Sequence, residues 1–107
     1  MTYRVVLTDN AKANLRHYYV RAAEHAPTTA ANWLNRFQEA LQTLSNRPER
    51  CPLAPENEAV VEEVRQFHFG RRSGAYRALF TIAGDEVRVL HIRRAAMDTA
   101  SPDTLLG

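Results

Sequence analysis

Between Val64 and Arg94 the chain reads VRQFHFGRRSGAYRALFTIAGDEVRVLHIRR, three apolar runs of strand length broken by Arg71-Arg72-Ser73-Gly74 and by Ala83-Gly84-Asp85-Glu86. No other stretch limits the fold as strongly. Branched and aromatic side chains pack well on a pleated surface, and Gly, Ser and Asp supply the turns between such runs. The spacing therefore predicts an antiparallel meander. In its middle strand Tyr76, Ala78, Phe80 and Ile82 fall on one face, and Arg77, Leu79 and Thr81 on the other. The same segment carries Arg65, Arg71, Arg72, Arg77, Arg88, Arg93 and Arg94, half of the 14 basic residues in the chain, against only Asp85 and Glu86. The sheet is expected to be the positive end of the molecule.

Upstream, Thr2 to Leu7 reads as a first strand, with Tyr3, Val5 and Leu7 alternating against Arg4 and Val6. Asp9 is the expected N-cap of a helix starting near Asn10, because its carboxylate can accept from the free N–H groups of a first turn. Ala11, Leu15, Tyr18 and Ala22 form one apolar stripe, and Pro27 is expected to stop that helix. Thr28 or Thr29 then caps a second helix with a stronger stripe, Ala30, Trp33, Leu34, Phe37, Leu41 and Leu44, ending at Pro48. Two helices so closely spaced predict an antiparallel hairpin whose apolar side packs on the sheet. Residues 47 to 60, with three prolines and no period, read as an ordered loop from helix to sheet. The fold class is α+β in the order β-α-α-β-β-β: a helical hairpin on one face of a mainly antiparallel four-stranded sheet. The other face is expected to meet solvent or a partner.

At 107 residues and 45% hydrophobic composition, residues 1–107 are expected to form one domain with a single modest core, ending in a short tail from Ala95 that frays. The formal charge of +2 is small, so its uneven distribution matters more than its size. No apolar run reaches the length of a membrane span and the amino end lacks the apolar core of a signal peptide, so a soluble, cytoplasmic protein with no membrane partner is expected. Cys51 is the single cysteine, which excludes an internal disulfide and a thiolate metal cluster. No Gly-rich phosphate loop or metal-ligand spacing is present, and no cofactor or metal is expected.

Together the helical hairpin, the loop Cys51-Pro52-Leu53-Ala54-Pro55-Glu56, the run Gly74-Ala75-Tyr76-Arg77-Ala78-Leu79-Phe80-Thr81-Ile82 and the run Val87-Arg88-Val89-Leu90-His91-Ile92-Arg93 resemble toxins of the RelE/ParE superfamily. These are the toxic halves of bacterial type II toxin-antitoxin, or plasmid stabilisation, modules, and the resemblance covers nearly the whole chain. It implies growth inhibition, held in check by a cognate antitoxin protein. Two activities occur on this fold. RelE-like members cut messenger RNA in the ribosomal decoding site, whereas ParE-like members bind DNA gyrase and trap it in its DNA-cleaving state. Fold alone cannot separate them.

In the RelE-like case the resemblance implies a catalytic set of Arg77, matching the central-strand arginine that stabilises charge on the phosphate, with Arg65 and Arg93. Two departures weigh against it: Met97 stands where a basic residue is usual, and no terminal tyrosine follows Asp98. Internal attack on RNA also needs a base and an acid, roles that arginine fills poorly because it holds its proton so firmly. His68 or His91 could supply them, or both could be sheet residues bonded locally. Arg77 could equally be a structural ion pair with Glu62, Glu63, Asp98 or Asp103. Arginines with no lysine among them favour bidentate recognition of phosphate or carboxylate, so Arg71, Arg72, Arg77, Arg88, Arg93 and Arg94 are the expected target-binding residues. Tyr18, Tyr19 and Leu34 are expected at an antitoxin-binding rim beside the hairpin. The leading expectation is a ParE-like toxin that binds gyrase. The alternatives are a ribosome-dependent messenger RNA endonuclease and a homologue that binds antitoxin but is no longer toxic.

Overall fold

Alternation at Tyr3, Val5 and Leu7 turns one side of a short first strand toward the core, and the strand, β1, spans Arg4–Leu7. Thr2 joins only through an isolated bridge to Asn46. The computed structural model describes residues 2–59, 62–70 and 75–95. From β1 the chain passes directly into helix α1, Asp9–Ala23, and the cap is Thr8 rather than Asp9. Thr8, the residue after the strand, is still extended, so its hydroxyl is the one placed to accept from the Ala11 N–H, at 3.2 Å. Asp9 falls in the first turn instead, where its charge suits the positive end of the helix dipole.

The next two expected boundaries also move. α1 ends at Ala23, capped by Glu24, and Pro27 opens helix α2, Pro27–Gln42, instead of merely stopping α1. Proline suits that first position because its missing N–H has no helical acceptor to lose and its φ is already helical. Ala26 is the N-cap, without a side-chain bond, and Thr28 and Thr29 are exposed in the first turn. α2 tightens into a 3-10 turn, Thr43–Ser45, which carries Leu44 into the core.

Three strands follow: β2 at Arg65–Phe69, β3 at Tyr76–Ala83 and β4 at Glu86–Arg94. The sheet order is β1-β4-β3-β2, antiparallel except for the parallel β1–β4 pair, and the α+β order matches expectation. Ala11, Leu15, Phe37, Leu41 and Leu44 from the helical layer pack on Ala78, Phe80, Val87, Val89 and Ile92. Ala22 is exposed, so the α1 stripe stops at Tyr18, whose ring meets Tyr76 edge-on at 5.0 Å. Beyond Val89 the edge of β4 runs past β1 and is served by α1: Thr8 and Asn10 donate to the Leu90 carbonyl at 3.0 and 3.4 Å, and Asn14 accepts from the Ile92 N–H at 3.0 Å. Polar side chains thus satisfy backbone groups that no strand reaches.

The face away from the helices is not left bare. After the Pro48–Arg50 turn, Ala54 donates to the Val64 carbonyl at 2.8 Å and Gln66 to the Pro52 carbonyl at 3.0 Å, so the loop runs along the free edge of β2. A further 3-10 turn at Pro55–Ala59 follows. Ala54, Val64 and Leu79 form a second, small apolar cluster under this cover. The expected open face is therefore partly roofed by the segment read as a simple connection. Among the described residues no helix is long and apolar enough to cross a membrane.

Candidate functional site

Strand register sorts the arginines between the two faces of the sheet, since directly paired antiparallel residues point the same way. Arg65 pairs with Phe80 and so lies on the helix side, where its guanidinium donates to the Cys51 carbonyl at 2.8 Å and the Glu49 carbonyl at 3.3 Å. Arg77 pairs with His68 on one side and Arg93 on the other, on the outer face. Between Leu79 and Phe80 the ladder slips: Leu79 faces His91 while Phe80 faces Val89. This bulge at Leu90 reverses the alternation of β4, so that Val87 and Val89 point inward before it and Ile92 after it. His91 and Arg93 are thereby turned onto the face of Arg77, and Arg94, paired with Tyr76, onto the helix side. Arg88 is exposed and shares Glu86 with Arg4, at 3.1 and 2.7 Å. Arg71 and Arg72 lie outside the described residues.

At the centre of the outer face is Arg77, only 6% exposed, clasped by Glu56, which is 0% exposed. The two guanidinium nitrogens meet the two carboxylate oxygens at 2.9 and 3.1 Å, and Gln66 Oε1 accepts a further bond from Nη1 at 3.1 Å. Bidentate geometry and burial make this the strongest ion pair described in the fold. Its acidic partner is neither Glu62 nor Glu63, both exposed. Glu56 arrives on the Pro55–Ala59 turn, held by an Asn57 side chain that accepts from the Val64 N–H at 2.8 Å.

His91 lies in the same layer and is 7% exposed. The Asn10 amide donates to its Nδ1 at 3.2 Å, which places the ring proton of the neutral form on Nε2. Burial, then the charges of Arg93 and Arg77, hold its pKa below the ordinary 6.5, with Glu56 pulling the other way. His68 is on this face but exposed. The three arginines proposed for phosphate chemistry thus do not form one site: Arg65 is on the opposite face, and Arg77 is engaged by an internal carboxylate. Glu56 and Gln66 belong to the centre without having been signalled by the sequence, because a lone glutamate in a Pro-rich loop looks like any solvated one.

A second surface lies across the hairpin. Tyr19 and Leu34 line a groove of about 440 Å³ floored by Leu7 and Leu15, with the exposed Lys12 and Arg16 beside them. A neighbouring hollow of similar size shares Leu7 and Gln38 and continues along α2 past Leu41. Tyr18 is turned toward Tyr76 instead, so it does not join Tyr19 and Leu34. Cys51 is buried, its thiol pushed up by burial against the opposing effect of Arg50, 3.3 Å away. No group of three metal-ligating side chains occurs among the described residues.

Comparison with known proteins gives a family match and a structural one. Residues 5–99 match the family model of the ParE toxin of the type II toxin-antitoxin system, parDE. No curated protein matches. Among solved structures, the chromosomal ParDE toxin-antitoxin system from P. aeruginosa is similar with a TM-score of 0.70 at 22% identity, covering 87% of this chain and 96% of that one. The toxin-antitoxin complex RelBE2 from Mycobacterium tuberculosis is similar with a TM-score of 0.49 at 23% identity, covering 88% of this chain and 99% of that one.

Proposed function

This chain belongs to the ParE toxin family of type II toxin-antitoxin systems, and from that premise we propose that it stops growth by binding a protein target such as DNA gyrase, not by cutting RNA. One observation carries the choice between the two. Arg77, the residue on which phosphate chemistry would depend, already spends its bidentate face on Glu56 inside the protein. Arg65 is on the other side of the sheet, and His91, the buried histidine of the outer face, already accepts from Asn10 at Nδ1. A site with its charges mutually satisfied suits a rigid binding face better than an acid-base centre.

In this reading Arg88 and Arg93 on the outer face, Arg94 at the end of β4, and Arg71 and Arg72 in the sequence between β2 and β3 supply the charge that meets the target. Arg77 serves that surface by bracing it. The cognate antitoxin covers the groove at Tyr19 and Leu34, an apolar trough with basic neighbours that suits an acidic amphipathic segment. Tyr18, beside Tyr76, contributes at the margin. The toxin acts in the cytoplasm, where gyrase and the translating ribosome are both available.

The test is a pair of assays on purified toxin. With gyrase, DNA and ATP, the expected result is toxin-dependent accumulation of cleaved DNA, abolished by the antitoxin. In a translating extract, 5′-end mapping should show intact message. Cuts positioned by codon and lost without ribosomes would overturn the reading and identify an endonuclease. Growth without arrest on expression lacking antitoxin would instead identify a homologue that is no longer toxic.

A further inference from the structure

Strand β3 outruns its neighbour on the β2 side. β2 begins at Arg65, opposite Phe80, so Thr81, Ile82 and Ala83 continue along an edge with no strand beside it among the described residues. They border a hollow of about 560 Å³ together with Glu49, Glu62, Glu63 and Arg65. We propose that this hollow is a docking site for an extended basic segment of a protein partner, which adds to β3 at Ile82 and sets an arginine or lysine side chain among the carboxylates.

Three observations support this. First, the ladder fixes which backbone groups face the gap. Gln66 turns its N–H away from β3 to the Pro52 carbonyl, and Ala95 donates to the Ala75 carbonyl, so in β3 it is Tyr76, Ala78 and Phe80 whose backbone groups face β2. Two residues on, Ile82 turns its N–H and C=O the same way, and among the described residues no backbone group meets them. An open edge is a template for another strand, and Thr81-Ile82-Ala83 carries neither the lysine nor the proline that commonly guards one. Second, the charge around the gap is acidic. Glu49 and Glu62 are exposed and enter none of the ion pairs described, and Glu63 reaches Arg65 only at 3.9 Å. Arg65 donates instead to the Glu49 and Cys51 carbonyls, and Arg88, opposite Thr81 on β4, is held by Glu86 at 3.1 Å. Carboxylates that the fold leaves unmatched suit a cation from outside. Third, Thr81 borders the hollow with only 3% of its surface exposed, and its hydroxyl has no hydrogen-bond partner. Buried hydroxyls are normally paired, and an N–H of a bound segment would supply what this one lacks. The hollow shares no residue with the hairpin groove, so it is a surface separate from the one assigned to the antitoxin.

The experiment titrates the full chain with a blocked hexapeptide alternating arginine and valine, followed by the amide resonances of the protein and by anisotropy of a labelled peptide. The Ile82 and Ala83 amides should shift together to saturation, and hydrogen exchange at Ile82 should slow. Glu62→Gln/Glu63→Gln, a change confined to exposed side chains, should weaken binding tenfold or more. The same peptide N-methylated at alternate residues, which removes its backbone donors, should bind no better than that variant does. Thr81→Val, which keeps shape and removes the unpartnered hydroxyl, should melt higher as the free chain and bind the peptide several-fold more weakly. Shifts that spare Ile82, or equal affinity in Glu62→Gln/Glu63→Gln, overturn the proposal. So does agmatine binding as tightly as the peptide, which would identify a site for a free cation. Movement of the Ile82 and Ala83 amides with protein concentration alone, at a doubled mass in solution, would make the occupant a second copy of this chain and overturn the choice of partner.

Discussion

Arg77→Ala should destabilise this protein so strongly that loss of function alone says nothing about a functional role. The substitution strands Glu56, 0% exposed, with its carboxylate desolvated and its two strongest bonds gone. Removing one partner of a buried ion pair typically costs ~3–5 kcal/mol, most of it the burden of the charge left behind. Native domains hold only about 5–15 kcal/mol in all. At roughly 5 °C per kcal/mol for a domain near this size, the melting temperature should fall by about 20 °C. Replacing both partners by apolar side chains, Glu56→Leu/Arg77→Met, removes the charge with the bonds and should cost about 1 kcal/mol. Urea unfolding followed by circular dichroism at pH 7, run as a double-mutant cycle with Glu56→Leu and Arg77→Met, measures the coupling directly. An Arg77→Ala midpoint indistinguishable from that of an exposed substitution, within ~0.5 kcal/mol, would refute the reasoning. The consequence for toxicity assays is direct. Loss of growth arrest in Arg77→Ala reports a lost fold unless the paired apolar variant, which keeps the fold, also loses it.

Acid should weaken the fold in two separate windows. His91 ionises below 6.5 in the native state, so as pH falls beneath 6.5 the unfolded chain takes up a proton that the native chain refuses; stability then declines until the native pKa is passed, and is insensitive to His91 above 6.5. His91→Gln should flatten melting temperature against pH in that interval. Glu86, lowered by its hydrogen bonds to Arg4 and Arg88, contributes stability that is lost only below 4.5, a decline that Glu86→Gln should remove. Thr8→Ala removes both the α1 cap and the bond to the Leu90 carbonyl and should cost about 1–2 kcal/mol in urea unfolding, against a few tenths of that for Asp9→Ala. Gly84→Ala meets no atom within 4 Å, so its cost should be that of a left-handed backbone at φ +62° alone, roughly 1 kcal/mol. Leu34→Asp should weaken antitoxin binding by tenfold or more in a titration while leaving growth arrest intact.

Periodic features of the fold could be read in advance because they repeat along the chain. The alternation of Tyr76, Ala78, Phe80 and Ile82 and the helical stripe from Ala30 to Leu44 each restate one face many times, so local errors average out. Boundaries were harder, since Thr8 and Asp9 are both competent caps and only the end of β1 decides which is extended. The centre of the outer face was hidden for a stronger reason. A single slip at Leu90 decides whether His91 and Arg93 share a face with Arg77, and no residue type marks it, Leu90 being an ordinary strand residue. Glu56 is hidden likewise, because what makes it special is a distance to Arg77 across a sequence separation of 21 residues. Seven arginines in the strand-rich segment suggested a uniform positive face. Register then divides the five on the described strands, and burial neutralises the most central. Arg77 is the arginine whose loss the fold tolerates least, which makes Arg88, Arg93 and Arg94, none of them as deeply buried, the residues whose reversal to glutamate should abolish target binding without unfolding the chain.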